Sequence, residues 1–288
     1  MCRFLAYKGK RVLLADILTR PCHSLIKQSY RAKMREEPLN GDGFGLGWYD
    51  PVFDPFPGLY TSLTPAWADR NLYRIAEKLS SPCIFAHIRA ATPGMLVSNV
   101  NCHPFKYGPF LWMHNGYIGE FSKIKRLLRN SLKDPFYHMI EGTTDSEHAF
   151  AVFLNELPEG RERYTASELT QAMTATILRL NQWAKDAGIK EGSNFNFAVT
   201  DGENMVVTRY ATPIEKTPES LYYTYGSDFS CTGDTCRMEN PLKNKSSIII
   251  SSEPVTEEHD NWIEIPSGTL LEVNEKNDLR MINIREEL

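Results

Sequence analysis

The chain predicts an α+β fold, and three observations carry that prediction. Strand-length apolar or alternating runs open the sequence, two long helix-period segments occupy its middle, and strand patterns return after Gly188. Nowhere do strands and helices alternate around the glycine fingerprint of a nucleotide-binding βαβ series. At 288 residues the chain can bury a substantial core, near the size where one core persists or divides.

Taken in order, residues 2 to 7 read as a strand with Cys2, Phe4 and Ala6 on one face. Leu13, Leu14, Ile17 and Leu18 follow, ending at Arg20-Pro21 because proline restricts the residue before it. Lys27 to Pro38 is charged and reads as exposed. Gly41, Gly43, Gly45 and Gly47 then recur at period two, which would weaken an ordinary strand; close backbone packing or a nearby ligand accounts for them. Four prolines, Pro51, Pro55, Pro57 and Pro65, predict an irregular surface loop over 50–66. Leu72, Ile75, Ala76 and Leu79 predict a helix whose opposite face carries Arg70, Arg74 and Lys78. Cys83 to Ile88 reads as a buried strand that delivers Arg89 into a loop closed by Pro93-Gly94. Phe110 to Met113 reads as another strand, ending in a turn at His114-Asn115-Gly116.

Ile124, Leu127, Leu128 and Leu132 recur at helical spacing beside Lys123-Ile124-Lys125-Arg126, which makes that basic run a solvated helix face. From Thr143 to Leu157 the pattern is helical, with Thr144 and Glu147 as a capping box and Phe150, Phe153, Leu154 and Leu157 as the buried stripe. A second helix over about 167–187 has Thr165 and Glu168 as its cap and Leu169, Met173, Ile177, Leu180 and Ala184 inward. Phe195, Phe197 and Val199 alternate, Asp201-Gly202 turns, and Met205, Val207 and Arg209 return. Strands are expected again at 221–225, 247–251 and 269–273, with Cys231 to Asn244 as a loop.

A composition of 42% hydrophobic and 24% charged residues describes a soluble globular protein, and a net charge of -4 argues against nucleic-acid binding. No apolar run reaches membrane-spanning length, and Lys8, Lys10, Arg11 and Asp16 interrupt any signal-like segment, so we expect a cytoplasmic protein. The six cysteines form no Cys-x-x-Cys pair and no secreted disulfide framework. Cys22-His23 and Cys102-His103 are too dispersed for a structural zinc site, and no protein-bound metal is expected.

The chemistry centres on the start of the chain. Removal of Met1 would put a thiol and a free α-amine on Cys2, with reference pKa values of about 8.5 and about 7.7 to 8, so the amine can take the thiol proton near neutrality. The other reading of Cys2 is a small hydrophobe opening a buried strand. Three further stretches stand beside it: Asn40-Gly41-Asp42-Gly43-Phe44-Gly45-Leu46-Gly47-Trp48; His87-Ile88-Arg89-Ala90-Ala91-Thr92; and His103-Pro104-Phe105 with His114-Asn115-Gly116. Asp145-Ser146-Glu147 completes the set. Arg89 suits a carboxylate through its planar fork. Asp145 suits an ammonium, and equally suits the first turn of a helix, where acids are favoured; the two roles are compatible.

As a set, these residues resemble the class II glutamine amidotransferases, N-terminal nucleophile hydrolases that release ammonia or an amine from a γ-glutamyl group. The resemblance implies a four-layer αββα sandwich, two antiparallel sheets face to face with helices outside, forming a single domain over 2–288. It implies Cys2 as nucleophile and, through its amine, as base. It further implies the Asn115 side-chain amide and the Gly116 N–H as oxyanion donors, Arg89 and Asp145 as the grip on the two glutamyl charges, and Thr92, His103 and His114 around them. No cofactor and no metal are implied. The partner is a small-molecule γ-glutamyl substrate, with a metabolic-enzyme partner or self-association left open. Many synthase-linked members carry tryptophan after the arginine, whereas this chain has Arg89-Ala90. It therefore looks most like compact stand-alone members such as the γ-glutamyl hydrolase of ergothioneine synthesis and the fungal glutathione-degradation amidotransferase subunit. Three functional readings follow: hydrolysis of glutamine or a γ-glutamyl peptide or thiol metabolite through a Cys2 thioester, a dissociable glutaminase subunit passing ammonia to a synthase, or a noncatalytic interaction subunit.

Overall fold

The computed structural model describes residues 2–34, 39–90, 97–213, 215–233 and 235–284. The chain divides into two compact units, Met1–Met113 with Ser220–Ile265, and His114–Glu219 with Pro266–Leu288. The first unit contributes β1 (Arg3–Leu13), α1 (Leu14–Leu18), α2 (Leu25–Arg31), β2 (Phe44–Asp50), β3 (Asp54–Ser62), α3 (Arg70–Ala76), β4 (Ser80–Ile88) and β5 (Phe105–Tyr107). Strand β6 (Phe110–Tyr117) carries the chain onward. The second unit continues with α4 (Phe121–Ser131), α5 (Asp134–His138), α6 (Asp145–Glu156), α7 (Ala166–Asp186), β7 (Ser193–Thr200), β8 (Met205–Arg209) and β9 (Ala211–Thr212). The first resumes with β10 (Tyr222–Gly226), β11 (Asp228–Thr232), β12 (Thr235–Glu239), β13 (Ser247–Ser251) and β14 (Ile263–Glu264); the second closes with β15 (Thr269–Val273) and β16 (Leu279–Asn283). Sheets and helices occur together in both units, which makes the fold α+β.

In the first unit the sheet runs β14-β10-β13-β1-β4-β2-β3. Strand β1 lies at its centre, antiparallel to β13 from Leu5↔Ser251 to Lys8↔Ile248 and to β4 from Arg3↔Ile88 onward. Both faces of its first half are covered, so Arg3 to Lys8 are all buried and the expected alternation of faces has no polar side. The same double burial explains the unbroken Ile248-Ile249-Ile250 run in β13. One core gathers Leu5, Tyr7, Leu14, Ile17, Ile84 and Ile249.

Two segments expected to be loops contain strands. Over 50–66 the prolines lie in and around β3, which among the described residues is the edge of its sheet, paired with β2, and needs its N–H groups on one side alone. Within 231–244 the chain forms the β11–β12 hairpin, where Cys231 lies directly opposite Cys236 and is joined to it by a disulfide. Its short, polar strands give little hydrophobic pattern to read.

In the second unit the sheet order is β16-β15-β8-β7-β6, with β9 also on β7. Helix α7 has the complete capping box expected of Thr165 and Glu168, and buries Leu169, Met173, Ile177 and Leu180. Helix α6 is buried from Asp145 to Leu154, wider than the stripe its sequence suggested. Thr144 caps it, but the Glu147 carboxylate accepts from the N–H groups of Glu141 and Gly142 rather than completing the box. In α4, Ile124 and Leu128 are buried while Leu127 is exposed, so the inward stripe is narrower than expected. No helix among the described residues is long and apolar enough to cross a membrane.

Candidate active site

Cys2 lies just before the β1 ladder, which begins at Arg3↔Ile88, and so faces the residues that follow β4. Its Sγ lies 3.4 Å from the Ala90 N–H and 3.6 Å from the Ala90 carbonyl oxygen. The Cys2 carbonyl accepts from Arg3 Nη1 at 3.1 Å. Arg3 itself is fully buried, and its Nε donates to Glu253 Oε1 at 3.1 Å. Glu253 is surrounded by donors: Met34 N–H on Oε1, and Lys33 N–H and His23 Nε2 on Oε2 at 2.9 and 2.7 Å. Burial pushes the Glu253 carboxyl upward, but His23, the two N–H groups and Arg3 more than reverse this and hold it at about 2.

Arg89 is buried, and its backbone is fixed from both sides by the glycine-rich stretch: its N–H donates to Gly43 O, and its carbonyl accepts from Asp42 N–H. The glycine spacing also answers a packing demand. A Cβ on Gly45 would lie 2.1 Å from the His103 carbonyl oxygen, and one on Gly43 would lie 2.9 Å from Cys102 Sγ. Gly45 thus lets the His103 backbone lie against β2, and close backbone packing is one of the two accounts the spacing allowed. His103 is buried, its ring 4.1 Å from that of His87 and 4.6 Å from that of Phe105. Burial pushes the Cys102 thiol up to about 11, with Arg89 opposing and Cys2 adding to the rise, so it is a poor nucleophile.

In the second unit, His114, Asn115 and Gly116 are not a turn. All three lie within strand β6, a correction to the Asn-Gly reading. The glycine answers crowding rather than a positive φ: a Cβ there would be 2.0 Å from the Asn194 carbonyl oxygen and 2.6 Å from His114 Nε2. His114 Nε2 lies 2.8 Å from Asn194 O, which can only accept, so the ring hydrogen is on Nε2. Nδ1 then accepts from the Ser146 hydroxyl at 2.9 Å. Burial lowers the His114 pKa, with Asp145 opposing, which keeps this neutral tautomer.

Asp145 is the first residue of α6, after the Thr144 cap. Its Oδ2 accepts from Ile118 N–H at 2.7 Å and its Oδ1 from Ser146 N–H at 2.8 Å. Asn115 behaves differently. Its side chain is fully buried, yet neither Nδ2 nor Oδ1 has a hydrogen-bond partner among the described residues. A buried amide left this way costs free energy unless a ligand completes it.

Cys2, Arg89 and His103 therefore belong to the first unit, and His114, Asn115, Gly116 and Asp145 to the second. Thr92 lies outside the described residues. Sequence reasoning missed Glu253 as a holder of the chain's start and Ser146 with Asn194 as the partners of His114. The Ser251-Ser252-Glu253-Pro254 run was a signal for the first, but its partner is 250 positions away. Among the described residues no group of three or more His, Cys, Asp or Glu is placed to hold a metal ion.

Comparison with known proteins adds a family to this geometry. The family described as "Glutamine amidotransferases class-II" matches residues 1–286. "Probable glutamine amidotransferase DUG3" of Saccharomyces cerevisiae is 41% identical over 295 residues, covering 96% of this chain and 82% of that protein. "Gamma-glutamyl-hercynylcysteine sulfoxide hydrolase" of Mycolicibacterium smegmatis is 25% identical over 276 residues, 96% of each chain. Among solved structures, a glutamine aminotransferase class-II domain protein from Silicibacter pomeroyi is similar with a TM-score of 0.66 at 25% identity, over 98% of this chain and 99% of that one.

Two stability outcomes follow from the buried polar groups. Asn115→Leu exchanges an unpartnered amide for an apolar group of similar shape, so it should raise the unfolding free energy by about 1–3 kcal/mol. A fall in urea denaturation experiments would mean that the amide is paired. The Glu253 carboxyl is held below its ordinary value, so its contribution is full above about pH 4.5 and is lost as pH falls towards about 2. That contribution is about 3 kcal/mol, and denaturation curves across this window should lose it in wild type but not in Glu253→Gln. Parallel curves for the two proteins would refute it.

Proposed function

The chain belongs to the class II glutamine amidotransferases, and on that premise we propose that it hydrolyses the γ-glutamyl amide bond of glutamine or of a γ-glutamyl peptide or thiol metabolite through a thioester on Cys2. The observation that carries this reading is Asn115, an amide fully buried in β6 with neither polar atom partnered among the described residues. Such a group is costly in the resting protein and useful to an oxygen whose charge develops only during reaction.

With Met1 removed, the Cys2 α-amine takes the thiol proton and the thiolate attacks the γ-carbonyl carbon. Asn115 Nδ2 and the Gly116 N–H donate to the oxyanion. As the tetrahedral intermediate collapses, the C–N bond breaks, the ammonium gives its proton to the leaving amine, and a γ-glutamyl thioester remains. Water, deprotonated by the same amine, then cleaves the thioester and frees the Cys2 thiol. Arg89 binds the α-carboxylate and Asp145 the α-ammonium. His114 accepts from the hydroxyl of Ser146, the residue whose N–H donates to Asp145, while His103 and Thr92 complete the surroundings. The four-layer αββα sandwich and a single domain over 2–288 belong to the same reading.

A leaving group larger than ammonia is supported by the mycobacterial relative, whose name makes it a hydrolase of a γ-glutamyl sulfur compound. The tests are kinetic. Relative to L-glutamine, glutathione, γ-glutamylcysteine or a γ-glutamyl sulfur-containing histidine derivative should reach at least about tenfold higher kcat/KM, equivalent to about 1.4 kcal/mol of leaving-side discrimination. Equal values would remove that specificity, and glutaminase activity appearing only with an added synthase would instead make the chain an ammonia-passing subunit. Asn115→Ala should lower kcat by about 10²- to 10³-fold. Near-normal turnover would return Asn115 to a purely structural role.

A further inference from the structure

We propose that Glu253 is a positioning residue for Cys2, acting through the Arg3 guanidinium; the role rests on Cys2 being the attacking group. Sheet pairing does not reach Cys2, since the β1 ladder with β4 starts one residue later. Once Cys2 is the first residue, its amine and thiol are held on the chain side by a single peptide bond. The carbonyl of that bond is gripped by Arg3 Nη1 at 3.1 Å, which limits rotation about the Cys2 Cα–C bond and thereby aims both reacting groups.

Arg3 can grip steadily only if its own side chain has one orientation. It is fully buried, with Nε on Glu253 Oε1 and Nη2 on Met34 O at 3.3 Å. The fork is thus read at three points. The carboxylate cannot swing away either, because His23 and the backbone N–H groups of Lys33 and Met34 hold it. Its neighbour Ser252 locks the register beside it: Ser252 N–H donates to Phe4 O, and Ser252 Oγ accepts from Phe4 N–H, both at 3.0 Å. Gln28 Nε2 ties the Glu253 carbonyl to α2 at 3.4 Å. Glu253 thereby collects the chain's start, the 23–34 region and the end of β13 around the peptide that presents Cys2.

A carboxylate that merely stabilises the fold would give a different kinetic result from one that aims the nucleophile. Four proteins separate the two: Glu253→Gln, Arg3→Lys, which keeps the charge but loses the fork, the double variant, and Glu272→Gln as a control. Glu272 is a buried carboxylate of the second unit that accepts from Thr170. Intact mass first confirms that Met1 removal is the same in all. Below each variant's Tm, kcat and KM for L-glutamine and the rate of Cys2 alkylation by iodoacetamide are measured.

Glu253→Gln and Arg3→Lys should each lower kcat by about tenfold or more, with KM within about twofold, and slow alkylation in parallel. The double variant should lose no more than the worse single one, since both act along one chain of contacts. Glu272→Gln should lower Tm and leave kcat unchanged. Wild-type kcat and alkylation in Glu253→Gln would overturn the proposal, and so would a double variant whose losses multiply. If Glu253→Gln does not fold, wild-type kinetics in Arg3→Lys overturn it alone. Failure of the underlying reading is seen separately in the parent protein: a glutamine-like diazo-ketone would then label a cysteine other than Cys2, and the positioning role would fall with it.

Discussion

Where β2 passes the 102–103 segment, the Gly45 Cα faces the His103 carbonyl so closely that even a methyl group would be driven to 2.1 Å from the oxygen. Backbone-to-backbone approach at this range is the constraint on which the candidate site depends. It fixes the glycine stretch, and that stretch in turn fixes Arg89 by hydrogen bonds to both sides of its peptide. The second unit repeats the device at Gly116, whose missing side chain leaves room for Asn194 O and the His114 ring. In both places the absence of a side chain brings polar backbone and imidazole groups into contact, and alanine would have to displace backbone rather than a flexible tip.

The buried polar groups divide into two kinds. Glu253, Asp145 and Glu147 each collect donors that are fixed by the fold, largely backbone N–H groups. Such groups rigidify their surroundings because each lost donor would leave a buried charge short of a partner. Asn115 is the opposite kind, with full burial and no partner among the described residues. Within the second unit, Asp145 and Glu147 are held by donors of the fold, while Asn115 keeps its hydrogen-bonding capacity unused among the described residues.

Legibility in the sequence followed how local each interaction is. The Thr165–Glu168 capping box, the α7 stripe and the strand at 269–273 were readable because all their determinants lie within a few residues. The prolines of β3 misled because tolerance of proline depends on being an edge strand, which is a property of the sheet. Asn115-Gly116 misled because glycine serves turns and tight packing alike, and only the neighbouring strand decides which. The β11–β12 hairpin is short and polar, and its cysteines are separated by a spacing that fits no familiar motif. Of the candidate site residues, Cys2, Arg89, Asn115, Asp145 and His114 could be named from motif chemistry, whereas Glu253, which holds Arg3, and Asn194, which holds His114, are about 250 and 80 positions away from the residues they hold.

The units are interleaved along the chain, and this has a consequence for biosynthesis. The central strand β1 is made at the outset, yet its neighbour β13 and the carboxylate that neutralises Arg3 come about 250 residues later. At a translation rate of about 5–20 residues per second, the start of the chain therefore waits on the order of ten seconds or more with its buried-to-be cation still in water. During that interval β1 can pair with β4 on one edge, while its other edge waits for β13. Late synthesis of β13 thus leaves one edge of the central strand unpaired until most of the chain has been made.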